Sequence, residues 1–201
     1  MKVPSFLLLL SLPLFTTFVH RPNVKLTKEK TVVHVKTMGN VSKTDLDLVV
    51  STIENFYDFD VVVHGEFTSP DKFKVNGLNR YRASSILSHS NKVNKHLGGK
   101  VLILTPLDIC TDRKLNGVLH KNWGILGVAG LGKQSTIVST YRMKTNHTNR
   151  LTKVTVHELG HTLGLQHCHN DEKCVMSDAK GKGSNVDGTE IKLCLECKKH
   201  I

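Results

Sequence analysis

Apolar positions along this chain switch between strand and helix periods. Lys30–Lys36 (KTVVHVK) is dense in β-branched residues and predicts a first strand. Leu46, Val49, Val50, Ile53 and Phe56 then recur at helical spacing within Ser42–Asp58, with Ser42 or Thr44 as the N-cap. Phe59–His64 predicts a second strand and Gly65–Asn79 a loop. Asn79–Leu97 predicts a helix, with Tyr81, Ile86, Leu87, Val93 and Leu97 on one face and Gly98-Gly99 ending it. Lys100–Thr105 (KVLILT) is almost wholly apolar, as in a strand covered on both faces. Gly127–Leu131 and Ser135–Thr140 predict two more strands around a Gly-Lys turn. Thr148–Leu165 is the last clear helix, with Val154, Leu159 and Leu163 on its buried side. Beyond Gln166 the periodicity stops, so something other than an apolar core has to order that segment. Strands alternating with helices make residues 22–201 one α+β (mixed α/β) domain without a linker or internal repeat.

Residues 1–19 (MKVPSFLLLLSLPLFTTFV) follow a different rule. Lys2 precedes an apolar run from Phe6 to Phe15, and the chain turns polar at His20, the pattern of a secretory signal peptide. Export to the periplasm or the extracellular space is expected, with an uncleaved signal anchor as the alternative. The run falls short of the roughly 20 residues of a membrane span, so a cleaved chain is not expected to insert stably.

Composition narrows the classes further. At 39% hydrophobic and 22% charged, the chain is neither disordered nor a polytopic membrane protein. Five Cys are too few for a disulfide scaffold, and their odd number forbids complete internal pairing. A net charge of +11 invites a polyanion partner, and 12 His invite a metal. The Lys and Arg residues are scattered and no recognition motif accompanies them, so no nucleic-acid partner is expected.

The chemistry is concentrated in HELGHTLGLQH, residues 157–167. On a helix His157 and His161 project from one face and can reach one zinc ion. Glu158 sits beside the first ligand, placed to take a proton without being a ligand itself. Gly164 lets the chain leave the helix so that His167 can approach the same metal. Three neutral imidazoles leave a fourth position open, which is the arrangement of a catalytic zinc. With this composition the extended motif arises by chance on the order of 10⁻⁴ times per chain.

Cys168, Cys174, Cys194 and Cys197 follow, the last two as Cys-Leu-Glu-Cys. The cluster suits either tetrahedral thiolate coordination of a second zinc or two disulfides. Cys110 lies apart and reads as a buried or spare thiol. Asn40 and Asn146 stand in N-x-S/T sequons.

HELGHTLGLQHC, then Cys174-Val175-Met176, then 17 residues, then Cys194–Cys197, resembles the archaemetzincin family of zinc metallopeptidases. The family pattern has four residues between the motif Cys and CxM, whereas this chain has five, a one-residue loop insertion. VLILTPLDI (101–109) and STIVSTYRM (135–143) look like the two family strands before the active-site helix. The resemblance implies a metzincin-like fold: a mixed, mostly parallel twisted sheet, an active-site helix, and a Cys-rich, zinc-ordered lower subdomain at about 166–201. It implies that His157, His161 and His167 bind a catalytic zinc, with Glu158 as general base. It also implies that Met176 is the Met-turn residue and that Cys168, Cys174, Cys194 and Cys197 hold a structural zinc. Two zinc ions per chain and a peptide or protein substrate follow from it. Gly127–Leu131 would be the upper edge strand, open to an extended peptide.

The glycines at 124, 127, 130 and 132 match neither a dinucleotide fingerprint nor a P-loop, and predict a turn or a close backbone approach beside the cleft. The rival functional reading is a catalytically silent, zinc-stabilised secreted binding module.

Overall fold

The computed structural model describes residues 29–180 and 183–201, so the signal segment at 1–19 lies outside the described residues. Strand β1 (Val32–Thr37) forms where the β-branched run predicts it. Helix α1 (Lys43–Tyr57) starts at Ser42, whose hydroxyl accepts from the Asp45 N–H, and ends at Asp58 in the left-handed region. Then come β2 (Asp60–Glu66), a 3-10 turn at Asp71–Phe73, β3 (Tyr81–Arg82) and α2 (Ala83–Val93). Four strands follow: β4 (Lys100–Thr105), β5 (Ile109–Leu115), β6 (Val118–Ile125) and β7 (Gly127–Ala129). The chain closes with β8 (Ser135–Ser139), α3 (His147–Thr162), α4 (Gly183–Gly188) and α5 (Leu195–Lys198). Among the described residues no helix is long and apolar enough to cross a membrane.

The main sheet has the order β2-β1-β4-β8-β7, parallel throughout except for β7, which runs antiparallel to β8 at one edge. This is the mostly parallel mixed sheet expected, with Gly127–Ala129 as its edge. Side chains alternate across it as the pleat requires. Leu102, Leu104 and Val138 join Val49, Ile53, Leu151 and Leu159 on the side of α1 and α3. Ile103 and Ile137 join Ala83 and Ile86 on the side of α2. These strand residues are fully buried, and each truncation to Ala there costs about 2–5 kcal/mol.

Two elements depart from the sequence pattern. The helix expected from Asn79 begins at Ala83, because Tyr81 and Arg82 pair instead with Ile109 and Cys110 in a second sheet, β3-β5-β6. The Tyr81 N–H donates to the Asp108 carbonyl 2.9 Å away, which commits this stretch to the strand. The β5–β6 hairpin was not expected at all. Its turn is Asn116-Gly117, both at positive φ (47° and 82°), and Leu115 pairs with Val118 across it.

Helix α3 is tied to α1 at both ends of the contact. The Tyr57 hydroxyl donates to the Val156 carbonyl at 2.8 Å. His147 Nε2 lies 2.7 Å from Asp45 Oδ1, and its Nδ1 lies 3.2 Å from the Met143 carbonyl. Both partners only accept, so the doubly protonated imidazolium is favoured and the His147 pKa is raised, chiefly by Asp45. The stabilisation is fully present below the unfolded pKa and is lost as pH rises through the raised folded one. The loss of stability on His147→Gln should therefore be larger at pH 5.5 than at pH 8.5 in urea titrations. An equal loss at both pH values contradicts the pair.

Candidate active site

Helix α3 carries His157, Glu158 and His161, and its C-terminus turns the third histidine towards them. Gly164 adopts φ +99°, and two hydrogen bonds close the turn: Gly164 N–H to His161 O (3.1 Å) and Leu165 N–H to Gly160 O (3.0 Å). This pair of bonds is a Schellman cap, which only a residue tolerant of positive φ completes without strain. His167 then lies with its ring centroid 4.9 Å from that of His161 and 5.3 Å from that of His157. One nitrogen from each of the three rings falls within 4.8 Å of the others.

Their tautomers follow from their neighbours. His157 Nδ1 donates to the Val175 carbonyl at 2.8 Å, and His161 Nδ1 donates to the Leu165 carbonyl at 2.7 Å. A carbonyl can only accept, so both Nε2 atoms are left as bare lone pairs, and they face each other at 3.0 Å. Two converging lone pairs repel unless a cation lies between them. Burial and the neighbouring His161 also lower the His157 pKa to about 4, which keeps the ring neutral and ready to ligate. The donor set therefore fits a dication, and imidazole nitrogen suits zinc.

Glu158 is buried, and the Ala129 N–H from edge strand β7 donates to its carboxylate. Burial pushes its carboxyl pKa up to about 8. Gly127 on the same strand has to be glycine, since a Cβ there would meet Glu158 Cγ at 2.7 Å and the Ile137 carbonyl oxygen at 3.0 Å. The glycine spacing thus marks close backbone approach, one of the two readings of the sequence. Gly124, which passes directly beneath the Arg142 guanidinium, and Gly130, packed against the Lys133 side chain, are two further instances.

The four cysteines of the C-terminal segment come together as the sequence suggests. Cys168 and Cys194 sulfurs lie 3.6 Å apart, Cys174 and Cys197 sulfurs 3.8 Å, and all four lie within 4.8 Å. A tetrahedral thiolate site with Zn–S bonds of about 2.3 Å has sulfur edges of about 3.8 Å, whereas a disulfide needs about 2.05 Å. Backbone N–H groups also point at the sulfurs: Cys194 N–H donates to Cys174 at 3.3 Å, and Cys197 N–H draws the Cys194 thiol down to about 7. Such donors favour thiolates. Cys110 lies elsewhere, buried, with its sulfur 3.6 Å from the Tyr81 carbonyl.

Met176 is fully buried under α3, against Gly160. A Cβ at Gly160 would stand 2.7 Å from its sulfur and 3.2 Å from the Tyr57 hydroxyl. The site opens into a cleft of about 1050 Å³ that runs along β7, under the β5–β6 hairpin and past α4. The hairpin brings Trp123 and Arg113 to this cleft, and α3 adds Arg150 and Lys153, two turns and one turn before His157 respectively. None of these four was found from the sequence, although Asn116-Gly117 is a hairpin signal in plain view.

Residues 84–201 match the family model described as Peptidase family M54. The chain is 29% identical over 182 residues to an archaemetzincin of Haloarcula marismortui, spanning 84% of this chain and 98% of the relative. It is 30% identical over 164 residues to one of Natronomonas pharaonis, spanning 75% and 88% respectively. The fold is similar to the crystal structure of an archaemetzincin from Archaeoglobus fulgidus in complex with malonate. That match has a TM-score of 0.67 at 24% identity over 85% of this chain and all of the other. A zinc-dependent peptidase from Methanocorpusculum labreanum matches with a TM-score of 0.66 at 19% identity, over 84% and 98%.

Two opposed effects meet at Gly160. Alanine gains about 1 kcal/mol of helix propensity, but overpacking against Met176 costs about 1–3 kcal/mol. Gly160→Ala should therefore destabilise the protein, and should stabilise it in a Met176→Ala background where that space is free. The same sign in both backgrounds, by thermal or urea unfolding, contradicts the contact.

Proposed function

The chain belongs to Peptidase family M54 and is a zinc metallopeptidase acting on peptides or proteins; on that premise we propose how its own residues share the work. His157, His161 and His167 hold the catalytic zinc. Bound there, zinc supplies a Lewis acid that polarises the scissile carbonyl and lowers the pKa of water from 15.7 to about 7. Glu158 accepts the proton of the attacking water and returns it to the leaving amine. Its burial supports this role, because a carboxyl with a proton affinity near neutrality takes and gives a proton readily. The Ala129 N–H fixes the orientation of that carboxyl. The observation that carries the reading is the pair of unprotonated Nε2 atoms converging at 3.0 Å on the helix that also bears this buried carboxyl.

Three further assignments belong to the proposal. The outer edge of β7 pairs with an extended substrate strand beside the zinc. Cys168, Cys174, Cys194 and Cys197 hold a second, structural zinc, supported by their tetrahedral sulfur spacing and by N–H donors to sulfur. Met176, packed under Gly160, supports the histidine turn of the helix from below. Export through residues 1–19 rests on the leader pattern alone. Glu158 remains in place, so the silent binding-module reading gains no support.

Glu158→Gln should keep its zinc and lose hydrolysis by about 100-fold or more. The assay is 1,10-phenanthroline-sensitive cleavage of a peptide panel, run alongside metal analysis of the same preparation. Parent-like turnover with zinc retained overturns the role of Glu158.

A further inference from the structure

Lys153 is the only buried Lys or Arg among the described residues, and it lines the cleft. Its ammonium donates to the Val186 carbonyl at 3.1 Å and the Asp187 carbonyl at 3.0 Å. Among the described residues no carboxylate pairs with it within 4.0 Å. Asp187 is already committed to Arg150, with contacts of 2.8 and 2.6 Å. An ammonium has three N–H groups, so one donor is left over, and the charge is offset only at a distance by Asp187, itself bonded to Arg150, and by Glu190. Burial disfavours an ammonium in that condition, and the desolvation lowers its pKa. The two carbonyl contacts hold α4 but do not call for a full charge, so the charge itself is available to the cleft.

Its place in the cleft indicates what. Lys153 stands four residues before His157 on α3, about 6 Å along the helix axis and on the same face. That is the reach of one substrate side chain beside the scissile bond. Val154, Val175 and Val186 line the same cleft and give it apolar surface. The wider cleft is also cationic: six Lys and Arg line it against two carboxylates, Glu158 and Asp178. At the far end Arg80 and Arg142 share the single carboxylate of Asp108, leaving one positive charge over.

We propose that Lys153 is a specificity-determining residue: its pocket binds the carboxylate of an aspartate or glutamate side chain flanking the scissile bond. This rests on the peptidase reading and names its substrate class. The entering carboxylate accepts the free N–H and neutralises the buried ammonium, while its methylenes contact the valines. A charge-assisted hydrogen bond of this kind gives about 10- to 100-fold preference over an uncharged side chain of equal size.

The test is a peptide series in which glutamate, glutamine and leucine are exchanged at each position flanking the cleaved bond. It is run with the zinc-loaded parent, Lys153→Met and Lys153→Arg. The parent should favour glutamate by tenfold or more in kcat/KM at one flanking position. Lys153→Met should erase the preference mainly through KM, and Lys153→Arg should restore most of it. A purely structural lysine would lower all three peptides together. A parent preference below about threefold overturns the proposal without any variant, and so does an unchanged ratio in Lys153→Met. Fluorescence anisotropy of labelled glutamate and leucine peptides on zinc-loaded Glu158→Gln protein separates the two claims. Lys153-dependent binding of the glutamate peptide to that variant, alongside a zinc-loaded parent that cleaves no peptide, keeps the pocket and overturns the peptidase assignment. Cleavage without charge preference does the reverse.

Discussion

How closely the chain can return to the face of α3 after leaving it decides everything about this site. That distance is set at Gly160, where the sulfur of Met176 occupies the space a Cβ would need. With Met176 seated there, the preceding Val175 presents its carbonyl to His157 Nδ1, and Cys168 N–H reaches the Met176 carbonyl at 2.9 Å. The orientation of the first histidine and the path of the third are thus both fixed by one close packing contact. The Schellman turn at Gly164 works in the same direction, since it delivers the Leu165 carbonyl to His161.

The segment that makes this return has little apolar surface of its own, and polar and thiol contacts hold it instead. The bidentate Arg150–Asp187 pair and the Lys153 contacts clamp α4 against α3. The four sulfurs of this segment gather close enough to share one tetrahedral ion. A set of three imidazoles and a set of four thiols therefore meet around the one segment that Met176 anchors to α3. They also differ in chemistry: neutral nitrogens leave a position open for reaction, while four thiolates close their shell.

Much of this was legible in the sequence because the motif obeys helical geometry. His157 and His161 are four residues apart, so any helix through them brings them together, and the positive-φ exit at Gly164 follows from the residue itself. The parallel core was legible for a similar reason: KVLILT, apolar on both faces, can only be a covered strand. The second sheet is not legible, because β5 (ICTDRKL) and β6 (VLHKNWGI) are polar through their middles and carry neither a continuous apolar run nor a clean alternation. Only the Asn116-Gly117 turn announced them. The start of α2 was misplaced because Tyr81 fits a helical face by spacing, yet its N–H is taken by Asp108 across the sheet. Lys153 was invisible to periodicity, which treats a lysine as solvated; its burial depends on α4, a helix too short to predict.

If the histidine and cysteine assignments proposed above both hold, one chain carries two chemically distinct zinc ions, one on nitrogen and one on sulfur. Zinc K-edge X-ray absorption on purified protein, combined with metal quantitation, tests it most directly. Two zinc ions per chain and a mixed shell are expected, with about two sulfurs per zinc at about 2.3 Å and nitrogen or oxygen at about 2.0 Å. A single zinc per chain without a sulfur shell, accompanied by two disulfides, would contradict it.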